Sequence, residues 1–147
     1  MNEAHVIPVV RSLQEYQVYR IDPDATNRLA IIFDPAVAKR LLTSCIEIFD
    51  VSGKTPPNRH QFAVEMFFVL EGEGIAICDG KEVAICSGDS LLVPPTGTHE
   101  IRNSGSKRLY TLTIMVPNEG FVELIRSGVL DELDAEDLAV LRRESSL

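Results

Sequence analysis

The chain has 147 residues, 45% of them hydrophobic and 24% charged, with a net charge of −8. That length suits one domain with a proper core, and that composition is globular rather than disordered. The acidic balance excludes the basic surface that non-specific nucleic-acid binding needs, and no apolar run approaches the roughly 20 residues of a membrane span, so neither nucleic acid nor membrane is an expected partner.

From the N-terminus, Met1 to Val10 carries Glu3 and no basic cluster leading into a long apolar core. It is therefore expected not to be a signal peptide, and His5 within it is assigned no role. Short β-rich runs follow at Glu15 to Ile21, Leu29 to Phe33, Ser44 to Val51, Val64 to Leu70, Gly74 to Cys78, Lys81 to Cys86, Ser90 to Val93, His99 to Asn103 and Leu109 to Val116. Turn signals such as Asp22-Pro23, Ser52-Gly53, Glu71-Gly72, Ser87-Gly88 and Ser104-Gly105 separate most of them. Strands of this length and spacing predict an all-β sandwich or barrel. Asp79-Gly80 lies between Ile77 and Val83 and predicts a hairpin turn, because both residues tolerate positive φ.

Period-2 alternation is imperfect from Ser44 to Asp50, where Ser44 and Asp50 share a parity with Ile46 and Ile48. Met66 to Leu70 is apolar on both parities, which predicts a strand covered on both faces. The tail changes character. Phe121, Leu124 and Ile125 recur at helical spacing with Gly128 as a stop, and a second helix is predicted from Ala135 to Arg143, capped by Asp134 with Asp137 three residues on. These helices either pack on the exterior or act as a lid. Cys45, Cys78 and Cys86 form no C-x-x-C pair and sit among apolar neighbours; they are expected to be reduced core thiols of a cytoplasmic protein.

His60 and His99 stand in the two most turn-rich stretches. Asn58 and His60 are two residues apart and face the same side of an extended chain. Glu65 is an odd number further on and joins them only if the chain turns in between, while His99 must come from another strand. Two imidazoles and a carboxylate suit Zn, Fe, Ni or Mn and leave coordination positions open. The alternative is a surface ion pair of His60 with Glu65 and a satisfied barrel histidine at His99.

The stretch from Gly53 to Gly72, with His60 and Glu65, and that from Gly88 to Asn103, with Pro94 and His99, resemble the two sequence motifs of the cupin superfamily. The resemblance implies a single jelly-roll β-barrel domain over 1–147, with the conserved barrel at about 44–116 and a helical tail at about 120–147. It also implies a divalent transition metal (Fe, Zn, Ni or Mn) on His60, Glu65 and His99, and no organic cofactor. Two departures stand out. Asn58 occupies the place of the first motif histidine and ligates, holds a water, or does neither. Thr96 stands where the second motif has a turn glycine, with Gly97 next, which predicts a local change of turn.

The function implied is a metal-binding cupin acting on or binding a small oxygen-rich molecule, as a dioxygenase, isomerase or decarboxylase. The alternative is a non-catalytic module that binds or senses a small ligand or metal. Tyr110, Arg59 and Glu47 are candidates for an acid or base beside the metal, and no catalytic role is assigned to any of them. Asn103 is expected to be a structural residue. A homodimer is also expected, with Tyr16, Val18, Leu29, Ile31 and Phe33 at or near its interface; the C-terminal helices covering that surface within one chain is the alternative.

Overall fold

Strand-forming runs broken by turn residues fold here into two antiparallel sheets. The computed structural model describes residues 7–144. Its strands are β1 (Gln17–Arg20), β2 (Asn27–Phe33), β3 (Thr43–Phe49), β4 (Val64–Glu71), β5 (Glu73–Cys78), β6 (Lys81–Cys86), β7 (Ser90–Val93), β8 (His99–Asn103), β9 (Leu109–Val116) and β10 (Val129–Asp131). Helices α1 (Phe121–Arg126) and α2 (Ala135–Leu141) belong to the C-terminal part. One sheet runs β10-β1-β2-β3-β9-β4-β7 and the other β6-β5-β8. Together they make the jelly-roll barrel with short C-terminal helices. At the β5–β6 hairpin, Asp79 and Gly80 both adopt positive φ, 48° and 79°, as the turn dipeptide requires.

Alternation decides what lies inside. Cys45 and Phe49 of β3, Phe67 and Val69 of β4, and Leu109 and Met115 of β9 all enter the inner clusters. Ile46 and Ile48 point the other way, and β3 is nonetheless buried along its whole length. Val18, Ala30 and Tyr110 pack with them, covered in turn by Leu133, Val140 and Leu141. That second layer is why alternation on β3 is masked.

Asp134 and Asp137 form the capping box of α2, their side chains and backbone amides bonded reciprocally. Asp137 is also the hub of an ion cluster. It accepts from Arg28 at 2.5 and 3.0 Å, from Arg108 at 3.0 Å and from the Tyr110 hydroxyl at 2.8 Å. Asn103 is structural, as expected: its Nδ2 donates to the carbonyls of Phe49, Asp50 and Lys107 at 3.3, 3.0 and 2.8 Å.

Three expectations need correction, and one strand was not foreseen. Cys86 is exposed, so only Cys45 is a fully buried thiol. Strand β10 pairs with β1 and has too few residues to show a period. Gly128 does follow α1, but the residue there must be glycine for another reason: a Cβ would lie 2.0 Å from the Arg20 carbonyl oxygen. Of the residues expected at a dimer interface, Val18, Leu29 and Ile31 are buried within the chain. Leu29 and Ile31 pack with Phe121, Val122 and Ile125 of α1, so the C-terminal helices cover that surface. His5 lies outside the described residues.

Candidate metal centre

The two motif stretches meet at one end of the barrel. Asn58 and His99 exchange backbone hydrogen bonds of 2.9 and 2.8 Å, which sets them side by side on facing chains. After His60 the chain turns, bringing Glu65 in at the start of β4. The Glu119 carboxylate holds that turn by accepting the amides of Gln61, Phe62 and Ala63 at 2.8, 2.6 and 3.0 Å. From the other side the Thr96 amide donates to the His60 carbonyl at 2.6 Å.

His60 Nε2 lies 3.0 Å from Glu65 Oε2, and His99 Nε2 lies 3.5 Å from the same oxygen. One donor atom from each of the three residues fits within 4.8 Å of the others. His99 is 3% exposed. Its Nδ1 is 3.0 Å from the Gly97 carbonyl, which can only accept, so Nδ1 carries the proton and Nε2 turns a lone pair into the site. His99 Nε2 and Asn58 Oδ1 are both buried without a hydrogen-bond partner, the 3.5 Å approach of His99 to Glu65 not making one. Burial pushes the Glu65 carboxyl up, but His60 and His99 outweigh it and the net shift is downward. Burial lowers His99; Glu65, the Gly97 carbonyl and Glu47 reverse this and leave it raised. A carboxylate held ionised between two imidazoles, beside two unsatisfied donor atoms, fits a divalent transition metal. Of the four expected site residues, His60, Glu65 and His99 are therefore together, and Asn58 lines the same cavity.

A cavity of about 70 Å³ opens from these residues. Asn27, Glu47 and Thr55 add polar groups to its lining, and Phe121 and Leu124 of α1 form part of its wall. Helix α1 is thus a fixed wall of the site, whereas α2 packs outside. Glu47 faces the cavity, and burial, then the nearby Glu65 charge, push its carboxyl up to about 8 against Thr113, Asn27 and His99. Tyr110 faces outward to Asp137 and Arg59 is exposed, so neither of these candidates reaches the site. Asn27 and Glu119 escaped the sequence reading. The run assigned to β2 began two residues after Asn27, and Glu119 acts across 56 or more residues of sequence on a bend that no motif marks.

Thr96 takes the left-handed conformation itself, with φ 75°. A β-branched residue there is strained, where the motif glycine would not be. Gly97 is needed for space: a Cβ would sit 2.7 Å from Cys78 Sγ.

A family model described as "Cupin domain" matches residues 45–115. The chain is 30% identical over 102 residues to an uncharacterized protein of Methanocaldococcus jannaschii, covering 67% of this chain and 82% of that one. Among solved structures, a predicted oxalate decarboxylase from Thermotoga maritima superposes with a TM-score of 0.67 at 21% identity, over 74% of this chain and 99% of that one. The cupin domain of Schizosaccharomyces pombe Cnp3 gives 0.64 at 13% identity, over 87% and 84%. KdgF from a Halomonas species gives 0.58 at 16%, over 70% and 86%. At these identities the structural matches show a shared fold.

Proposed function

The chain belongs to the cupin superfamily, and from that premise we propose that it binds one divalent transition metal on His60, Glu65 and His99 and uses it on a small oxygen-rich molecule. The observation that carries this is the convergence of these three donors within 4.8 Å beside a cavity. When bound, the metal supplies Lewis-acid or oxygen chemistry, suited to an isomerase, decarboxylase or dioxygenase. The protein's own groups hold and position. Gly97 fixes the His99 tautomer, Glu119 and Thr96 fix the loop that carries His60, and Asn58 offers a further oxygen. Phe121 and Leu124 narrow the access of water from the α1 side.

Elemental analysis of untagged protein tests the reading. About one metal per chain is expected after supplementation, with tight binding abolished in His60→Ala and His99→Ala and only weakened in Asn58→Ala. No stoichiometric metal in the parent protein refutes it. Oxygen uptake by the iron-loaded protein with small acids and diketones then separates an oxygenase from a non-catalytic binding module.

The same proposal includes a homodimer, on a different surface from the N-terminal strands. Leu92, Met66 and Ile114 lie abreast across β7, β4 and β9, with Phe68 beside them, and none joins a core cluster. Leu92 is 60% exposed. Covering such a strip favours a two-fold partner. Light scattering giving a mass near the 16.3 kDa of one chain removes the dimer.

A further inference from the structure

The proposed metal ligands account for only part of the cavity's polar lining. Asn27 on β2 and Glu47 on β3 also reach it, 1% and 2% exposed. Asn27 and Thr113 lie near enough to Glu47 to hold its carboxyl below where burial alone would put it, yet the Asn27 Oδ1 and Glu47 Oε2 atoms themselves are buried without a hydrogen-bond partner. A buried polar atom left unpaired destabilises the fold that holds it, and two of them facing one cavity mark a place where a ligand completes the bonding. The side chains around them, including Ile21, Leu29, Phe67 and Phe121, are apolar. Among the described residues no lysine or arginine lines the cavity, so nothing at the Asn27 and Glu47 end offsets an ionised ligand group, and a carboxylate belongs on the side of His60, Glu65 and His99. At about 70 Å³ the space suits a small ligand of a few non-hydrogen atoms.

Resting on the metal-binding reading, we propose that Asn27 and Glu47 are the recognition end of the cavity and that its ligand is a small monocarboxylate bearing a hydroxyl group. The hydroxyl donates to Asn27 Oδ1 and bonds with Glu47, uncharged where the wall has no cation. The ligand's remaining oxygens serve the side of His60, Glu65 and His99. Asn27 thereby reads a hydroxyl against its absence, the kind of discrimination a site with a buried polar group makes best.

The test uses the full chain loaded with zinc, with glycolate and acetate as probes, and Asn27→Leu and Glu47→Met as variants of similar shape. Ligand-observed NMR at pH 7 should show glycolate bound about tenfold more weakly by each variant, with acetate unchanged. Because acetate has the carboxylate but no hydroxyl, its constancy separates a lost hydroxyl contact from a damaged metal end. In the metal-free, ligand-free protein at about pH 4.5, where the Glu47 titration contributes little, each substitution should raise Tm by about 3 °C, since an apolar group replaces an unpaired polar one. A purely structural role predicts the opposite sign. Equal loss of both probes, an unchanged glycolate affinity, or a lowered Tm overturns the inference. Zinc content of the same samples separates the two readings. Zinc-loaded protein with no selective loss of glycolate overturns this inference alone, and protein that takes up neither zinc nor glycolate overturns both.

Discussion

Replacing Glu47 with glutamine in the metal-free protein should remove a fall in stability that the parent shows as pH rises. Glu47 is enclosed on β3, and burial followed by the Glu65 charge raises its carboxyl from 4.5 to about 8. The folded chain therefore keeps a proton that the unfolded chain releases above about pH 4.5, and stability falls wherever the folded state binds more protons. The contribution is complete below pH 4.5 and is lost as pH rises through 8. At 1.36 kcal/mol per pH unit, the loss across that window is about 5 kcal/mol. Glutamine keeps the shape and does not ionise. Glu47→Gln should thus match the parent near pH 4.5 and melt roughly 10 °C or more above it at pH 8, taking about 2–4 °C per kcal/mol for a chain of this size. Thermal unfolding of chelator-treated protein, followed by circular dichroism from pH 4.5 to 8.5, measures the gap. His99 and Glu65 share their charge interactions with Glu47, so the difference between the two proteins reads the Glu47 proton together with its effect on these neighbours. A gap that stays constant across the range, or closes as pH rises, refutes the reasoning.

Asp137→Ala should cost about 3–5 kcal/mol in urea unfolding, because it leaves the Arg28 guanidinium, 3% exposed, without its carboxylate; a cost below about 1 kcal/mol would show that the cluster is not a unit. Despite burial, Arg28 heads the groups that hold the Asp137 carboxyl down at about 2, against an ordinary 3.8, so its contribution is present above pH 4 and lost as pH falls towards 2. Thr96→Gly should stabilise by about 1 kcal/mol by relieving the left-handed threonine, and a loss of stability would contradict that. Glu119→Ala should weaken metal binding by about tenfold in a competition titration by freeing the turn after His60, and an unchanged affinity would remove Glu119 from the positioning of that ligand.

Much of the barrel is legible because its strands are short, β-rich and punctuated by Gly and Asp, and the hairpin at Asp79-Gly80 carries its turn chemistry in its own two residues. The ligand set is legible because His60, Glu65 and His99 keep motif spacing. Facing is harder to read. Glu47 and Tyr110 both lie on strands with apolar neighbours on either parity, and only the second layer made by α2 and Leu133 tells inside from outside. Asn27 could not be reached from spacing, since its importance lies in an unpaired oxygen that exists only once β2 is placed beside β3. The buried state of Val18, Leu29 and Ile31 was invisible for the same reason. Apolar residues look alike whether a partner or the chain's own helices cover them.

The three amides gathered by Glu119 have a mechanical consequence. That residue stands two positions before Phe121, so the carboxylate fastens the His60 turn to the start of the helix that walls the cavity. Asn118, one residue earlier, accepts from the Thr43 hydroxyl at 2.6 Å and from the Val122 amide at 2.9 Å, which ties the same corner to β3. Cavity wall and ligand-bearing turn are one piece here. Any displacement of α1 would pull on His60, so the shape of the cavity and the placing of that side chain are registered together.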